Sequence, residues 1–206
     1  TVAIPTSKPF RPMLCQRLQE NMDKLPENVI YQPKLDGYRA LGMKHDMVTR
    51  TNSSLPAFPH IRHTLSMLPD DIVLDGELYC HTSRFQHIMK SRSILPTADS
   101  YMIEYHVFDI VDENVTFSNR RMLLAEIIIQ LMDDYSKNPF ILHNKPLPFP
   151  IMPVKTTAGK SHELANYQAK FKAEGYEGTI VRLPEGKYEI DTRSYGLYKY
   201  KEVDSD

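Results

Sequence analysis

Lys34-Leu35-Asp36-Gly37-Tyr38-Arg39 is the stretch that decides how this 206-residue chain is read. It sets a primary amine two residues before an acid, beside a glycine, and closes on a guanidinium. A lysine becomes a nucleophile only when its proton is removed, which burial and neighbouring cations favour. A guanidinium offers a fork of donors suited to phosphate or ribose oxygens. The hexapeptide therefore points to a covalent lysine enzyme acting on a phosphorylated substrate. Its competing reading is a strand ending in a type I′ or related turn at Asp36-Gly37, with Lys34 and Arg39 merely solvated.

Outward from the hexapeptide, Val29–Leu35 is predicted as a strand and Tyr38–Met43 as its return. A turn at His45-Asp46 leads to a short strand ending at Arg50. Leu14, Leu18, Met22 and Leu25 recur at helical spacing, which predicts a helix over residues 14–25. Further helices are expected at Phe58–Leu68, at Ser83–Ser91 and at Ser118–Tyr135, the last capped by Ser118 or Asn119. Another is expected at Ser161–Glu174, ended by Gly175. Strands are expected at Ile72–Cys80, Tyr101–Val111, Ile151–Lys155, Thr179–Arg182 and Gly196–Lys201. Helices are interspersed among hairpins without a regular β-α-β alternation, which predicts an α+β fold of antiparallel sheets flanked by helices.

The bulk properties restrict the function classes. With 41% hydrophobic residues the chain can bury a sizeable core as one domain. Its formal net charge of −1 gives no global positive field for nucleic acid, although a local basic patch would suffice. Cys15 and Cys80 lie far apart without metal-ligand spacing and read as free thiols in a reducing compartment. No apolar run approaches the roughly 18 residues of a membrane span, so a soluble intracellular protein with no membrane partner is expected. The start at Thr1, without methionine, and the stop at Asp206 directly after a strand-like segment read as a processed or excised piece.

Four more segments carry chemistry-bearing residues. Asp75-Gly76-Glu77 places two carboxylates around a glycine. Phe108-Asp109 closes an alternating strand. Glu177-Gly178-Thr179-Ile180-Val181-Arg182 sets an acid before an apolar strand that ends in a cation. In Lys199-Tyr200-Lys201 both ammonium groups project from one strand face. Each segment alone reads as readily as a turn, a core aromatic or a solvated strand face. Their order along the chain is what distinguishes them.

In that order, with Thr49-Arg50-Thr51 between the first and second, the segments resemble the nucleotidyltransferase domain of covalent lysyl-nucleotide enzymes: DNA ligases, RNA ligases and mRNA capping enzymes. The resemblance runs from about residue 29 to the C-terminus. It implies an ATP-grasp-like ligase fold spanning residues 1–206 as one adenylation domain, without the oligonucleotide-binding domain that follows in the family. It also implies that Lys34 attacks the nucleotide α-phosphate, expels pyrophosphate and keeps the nucleotide as a phosphoramide. Arg50, Lys199 and Lys201 would surround the phosphates, and Glu177 would hold Mg²⁺ or Mn²⁺. Arg39 and Glu77 would face the ribose and Phe108 would stack on the base. Arg193 matches a position six residues before the first lysine of the last motif. Gln32 is either a purine-edge contact or an ordinary strand residue.

Among the relatives, Glu177-Gly178 is similar to ligases, where capping enzymes commonly carry Asp-Gly. Arg39 and the short segment before Lys34 favour ATP over NAD as donor. The run from Tyr188 to Asp204 resembles the exit of ATP-dependent DNA ligases toward their next domain, and the compact spacing looks like viral and bacteriophage enzymes. The resemblance thus implies a monomeric domain acting on nicked duplex DNA, with an RNA ligase, a capping guanylyltransferase or a weakly active nucleotide-binding fragment as alternatives. Arg84, Lys90, Arg92, Arg120 and Arg121 are candidate contacts to DNA phosphates or else solvated helix faces. His81, His87 and His106 form no ligand set. The piece is expected to adenylate itself slowly and to seal nicks poorly.

Overall fold

The computed structural model describes residues 9–82 and 95–202, so the helix expected at Ser83–Ser91, along with Arg84, Lys90 and Arg92, lies outside the described residues. Two five-stranded sheets dominate. The first, in the order β1-β12-β11-β2-β10, is built from β1 (Leu14–Arg17), β2 (Asn28–Lys34), β10 (Thr157–Lys160), β11 (Gly178–Arg182) and β12 (Arg193–Tyr200). The second, β4-β3-β5-β6-β9, comprises β3 (Tyr38–Met43), β4 (Asp46–Thr49), β5 (Val73–Tyr79), β6 (Glu104–Ile110) and β9 (Ile151–Pro153). A small hairpin, β7 (Ile141–Leu142) with β8 (Lys145–Pro146), stands apart. Pairings are antiparallel except β1 with β12 and β6 with β9, as the α+β expectation requires.

The hexapeptide is not a hairpin. β2 and β3, predicted as a strand and its return, belong to different sheets. Lys34 pairs with Gly178 in the first sheet, and Arg39 pairs with Glu77 in the second. Residues 35–37 step from one sheet to the other, and Gly37 lies outside the positive-φ positions, so the type I′ turn is absent. What Gly37 supplies is close approach: a Cβ there would lie 2.4 Å from the Leu78 carbonyl oxygen. The Gly37 amide instead donates to Glu77 Oε2 at 3.0 Å, pinning the step to β5.

β2 is buried from Val29 to Pro33, in keeping with its position between two neighbours. Pro33 lacks an amide donor, and the register shows why it is tolerated. The Lys34 carbonyl accepts from Glu177 toward β11, so the alternating Pro33 faces the β10 side, where pairing ends at Tyr31.

The helix expected over residues 14–25 is a strand followed by two short 3₁₀ turns, Leu18–Glu20 and Met22–Lys24. Leu14–Arg17 extends because it runs parallel beside β12, from Leu14 opposite Arg193 to Arg17 opposite Lys199. Leu18 is fully buried, while Met22 is 49% exposed, so the four leucine and methionine positions never shared a face. Tertiary pairing overrides helical spacing here.

The helices α1 (Pro59–Leu65), α2 (Phe117–Lys137) and α3 (Leu164–Ala173) cover the sheets. On α2, Leu124, Ile128, Leu131 and Tyr135 are buried at the spacing of one helical face. Its N-cap is Thr116, not Ser118 or Asn119, and no side chain caps it. The first amides are satisfied from afar, Phe117 donating to Gly186 and Ser118 to Pro184. α3 ends as expected at Gly175, with φ of 91°. One apolar cluster lies under α1 and α2, a second around Met13, Leu41, Val73, Tyr188 and Leu197, and a third between β2, β11 and α3.

A buried polar network ties these layers together. Asp109 on β6 receives Arg120 Nε at 2.8 Å and Arg120 Nη2 at 3.1 Å from α2, and Arg182 Nη1 at 2.6 Å from β11. Arg182 Nε donates to Gln32 Oε1 at 2.7 Å. Arg120, expected as a DNA contact or solvated residue, is instead 1% exposed within the core. Removing one partner from such a cluster strands the others without a counterion. Asp109→Ala is expected to lower the unfolding free energy by about 3–5 kcal/mol in urea titration. Lys137→Ala, which breaks only the exposed pair with Asp133, should leave the midpoint in place.

Candidate functional site

A cleft of about 250 Å³ opens between the two sheets and is lined by Gln32, Lys34, Arg39, Arg50, Glu77, Phe108, Arg193 and Lys199. Eight of the ten residues singled out from sequence therefore meet at one place. The remaining two, Glu177 and Lys201, join through Lys34. Lys34 Nζ donates to Glu177 Oε2 at 2.6 Å, and Lys201 contacts the other carboxylate oxygen.

This convergence follows from strand register. Lys34 and Gly178 are Cα partners, which places Glu177 at the end of β11 beside the end of β2. Ile180 pairs with both Gln32 and Lys199, so these three share the cleft face of the first sheet. Gly178 is needed for the close packing, since a Cβ would come within 2.3 Å of the Tyr200 carbonyl oxygen. The second sheet supplies Arg39, Glu77 and Phe108 from three adjacent strands.

The electrostatics sort these residues. Glu177 is half-buried, which would raise its pKa, but hydrogen bonds from Lys201 and Lys34 hold its carboxyl below the usual range. Lys199 has no acidic partner among the described residues. Burial pushes its ammonium down first, and Lys34, Lys201 and Arg193 add to that shift. Arg50 is exposed at the cleft rim with no ion-pair partner among the described residues. Arg193 lines the cleft and donates Nη1 to the Cys15 carbonyl at 2.5 Å. The site thus carries cations that no carboxylate neutralises, the arrangement an anionic ligand requires.

Arg39 lines the cleft and is held from behind by an acid. Its Nε and Nη2 each meet an Asp75 oxygen at 2.7 Å, and Nη2 also donates to the Met13 carbonyl. Burial opposes its charge, and Asp75 more than restores it. Its guanidinium carbon sits 5.0 Å from the Phe108 ring centre, and that of Arg182 sits 5.5 Å away. Gln32 is 1% exposed, with its amide donating to Phe108 O and Thr156 Oγ1 and its oxygen accepting from Arg182. Gln32 also lines the cleft, so its contacts leave both the strand-residue and the purine-edge readings open. Sequence reading assigned no role to Asp75, Asp109, Arg182 or Tyr188. Tyr188 OH donates to Asp75 Oδ2 at 2.6 Å, completing a second buried network under Arg39. The signal was present as acids and cations at strand ends, but their pairing across sheets was not.

Among the described residues no group of three or more His, Cys, Asp or Glu is arranged to hold a metal. Glu177 alone, a carboxylate whose two oxygens are held by Lys34 and Lys201 beside the cleft, fits a hard cation that draws most of its ligands from phosphate and water. It does not fit a cation caged by protein.

A family model for the ATP dependent DNA ligase domain matches residues 12–201. The chain belongs to that family. An African swine fever virus DNA ligase (strain Badajoz 1971 Vero-adapted) is 28% identical over 178 residues, covering 81% of this chain. The chain spans only 39% of that viral ligase. The SPbeta prophage-derived DNA ligase-like protein LigB of Bacillus subtilis (strain 168) is 25% identical over 207 residues, with 93% of this chain and 69% of LigB covered. The Chlorella virus DNA ligase-adenylate structure superimposes with a TM-score of 0.72 at 24% identity over 93% of this chain and 68% of that one. The bacteriophage T7 ATP-dependent DNA ligase in complex with ATP gives 0.64 at 16% identity, covering 95% and 69%. The ligase domain therefore shares their mixed fold, and the resemblance to viral and phage ligases holds.

Glu77 gives the ligase domain a pH signature. Burial raises its pKa to about 7, against the pull of Arg39, Lys34 and the Gly37 amide. An acid whose folded pKa exceeds its unfolded value binds more protons when folded, so its stability contribution is lost as pH rises toward 7. Glu77→Gln retains the acceptor for Gly37 and removes the charge. Its stability relative to the parent should rise between pH 4.5 and 7 and then level off, by about 2–3 kcal/mol in thermal or urea unfolding.

Proposed function

We propose that this chain is the adenylation domain of an ATP-dependent DNA ligase, in which Lys34 forms a covalent lysyl-AMP. The observation that carries this reading is the pairing of a cleft lysine with Glu177 at 2.6 Å, amid the unneutralised cations Lys199 and Arg50. An amine held at the junction of two sheets has few conformations to lose before attack.

In the reaction, Lys34 Nζ gives up one proton to water and its lone pair attacks the α-phosphorus of ATP. The bond from that phosphorus to the bridging oxygen breaks, and its electron pair leaves on pyrophosphate. A second proton departs from the nitrogen as the phosphoramide forms. Such transfers are accelerated mainly by positioning and charge neutralisation, the roles assigned to Lys199, Lys201, Arg50 and Arg193. Glu77 presents its carboxylate to the ribose hydroxyls and Phe108 its ring to the base, while Arg39 holds that ring wall in place through Asp75.

Glu177 holds Lys34 in position and is the residue that would carry Mg²⁺ or Mn²⁺. The bound cation would neutralise phosphate oxygens and compete with the ammonium for the carboxylate. Transfer of AMP to the 5′-phosphate of nicked DNA, and sealing, belong to the whole enzyme, of which this domain is the charging part.

Incubation with ATP and Mg²⁺ should add one AMP per chain by mass spectrometry, located on Lys34 by peptide mapping. Lys34→Ala should abolish the adduct, and an adduct persisting in that variant would refute the assignment. Glu177→Ala should slow its formation by roughly 10²-fold, as expected for loss of one charge-positioning group. RNA or capping chemistry would instead show as preferential transfer to nicked RNA, or as a guanylate adduct.

A further inference from the structure

The turn that delivers Glu177 to the cleft is held from the second sheet. α3 ends in a Schellman arrangement, in which the Gly175 amide donates to the Lys172 carbonyl and the Tyr176 amide to that of Phe171. Gly175 carries the positive φ of 91° that this ending requires, and the Tyr176 ring meets Phe171 edge-on with 6.4 Å between centres. Glu177 follows at once, and its amide donates to the Lys34 carbonyl at 3.0 Å. The place of the Glu177 carboxylate therefore depends on where this turn sits.

The hold comes from the end of β5. His81 Nε2 reaches the Glu174 carbonyl at 2.8 Å, across 93 residues of chain. That carbonyl is one of those a helix end leaves without an intrahelical partner. On the other side of the ring, His81 Nδ1 lies 2.7 Å from the Tyr79 hydroxyl. Tyr79 is the last residue of β5 and projects from the same strand face as Glu77. Burial pushes its phenol up to about 12, with Tyr176 and Asp36 adding to the shift, so it keeps its proton and donates to Nδ1. In the neutral imidazole an acceptor at Nδ1 leaves the proton on Nε2, the nitrogen that donates to Glu174. The rings close around the turn. Tyr176 lies 4.7 Å from His81 and 6.5 Å from Tyr79, and His106 meets Tyr79 edge-on at 5.0 Å.

We propose that His81 is a positioning residue for the charging of Lys34, clamping the 174–176 turn so that the Glu177 carboxylate meets the lysine. This role rests on the adenylation reading; the clamp itself does not. Glu177 precedes β11, whose first residue Gly178 is fixed opposite Lys34 by register, so its other side is fixed by the turn. Lys34 Nζ stands 2.6 Å from Glu177 Oε2, and a shift of the turn by about one ångström takes that contact out of hydrogen-bonding range. His81 is exposed and lies outside the lining of the cleft, so its influence on the reaction passes through the turn.

The test is the rate of adduct formation at saturating ATP and Mg²⁺ for the parent, His81→Ala and His81→Gln, and for the same set carrying Glu177→Ala. His81→Ala should slow the reaction roughly five- to thirtyfold, within the roughly 10²-fold of Glu177→Ala itself. His81→Gln, whose amide can donate to the Glu174 carbonyl, should recover most of the rate. With Glu177 already alanine, His81→Ala should slow the reaction by less than about twofold more, because the group it positions is gone. An unchanged rate in His81→Ala, or the same loss in both backgrounds, would overturn the positioning role. Hydrogen–deuterium exchange without nucleotide reads the clamp alone. Amides of residues 175–178 should exchange roughly tenfold faster in His81→Ala than in the parent, with α2 unchanged. Equal exchange in the two proteins would overturn the clamp. A parent chain that formed no adduct would count against the proposed function, while the exchange measurement would still decide the clamp.

Discussion

The carboxylate of Asp109, fully buried and shared between Arg120 and Arg182, is the constraint on which the arrangement of the ligase domain depends. It joins β6 of one sheet to β11 of the other and to α2, and through Gln32 it reaches β2. Burying such a carboxylate is costly, and the two guanidinium groups outweigh that cost enough to hold its pKa below the usual carboxylate range. A cluster of this kind tolerates few alternative packings, because any slip leaves a charge in the core without a partner. The two sheets are therefore fixed relative to each other just beneath the cleft.

The Arg39–Asp75–Tyr188 network repeats this logic on the other wall. Met13 takes part through its amide and carbonyl, so the segment preceding β1 is fastened to the second sheet while β1 itself joins the first. The cleft is thus rigid in its walls and permissive at its mouth, where Arg50, Arg193 and Lys201 are exposed. That division suits the adenylation proposed for Lys34, which asks for a fixed amine and an open mouth.

Much of this could be read in the residues. The strands on either side of the hexapeptide, the long helix α2, the Gly175 stop and the alternation that puts Lys199 and Lys201 on one face all follow from local pattern. Where the reading failed, the deciding partner was distant. Leu14–Arg17 has helical spacing but lies against β12 almost 180 residues away. Arg120 has the context of a solvated helix residue but faces Asp109. Asp36-Gly37 has the composition of a hairpin turn, yet Gly37 is needed because the Leu78 carbonyl passes too close for a side chain.

By itself the sequence singled out the residues that meet at the cleft: an amine, an acid, a ring and a set of cations, in an order that chance does not readily produce. It also determined most strands, because period-two alternation and β-branched runs are local properties. Only the tertiary structure decided that Lys34 and Arg39 stand on different sheets and that Glu177 serves two lysines at once. Those are relations of register and of charge pairing across long separations in the chain. No local pattern encodes them, because their energies arise only when the two sheets exclude water between them.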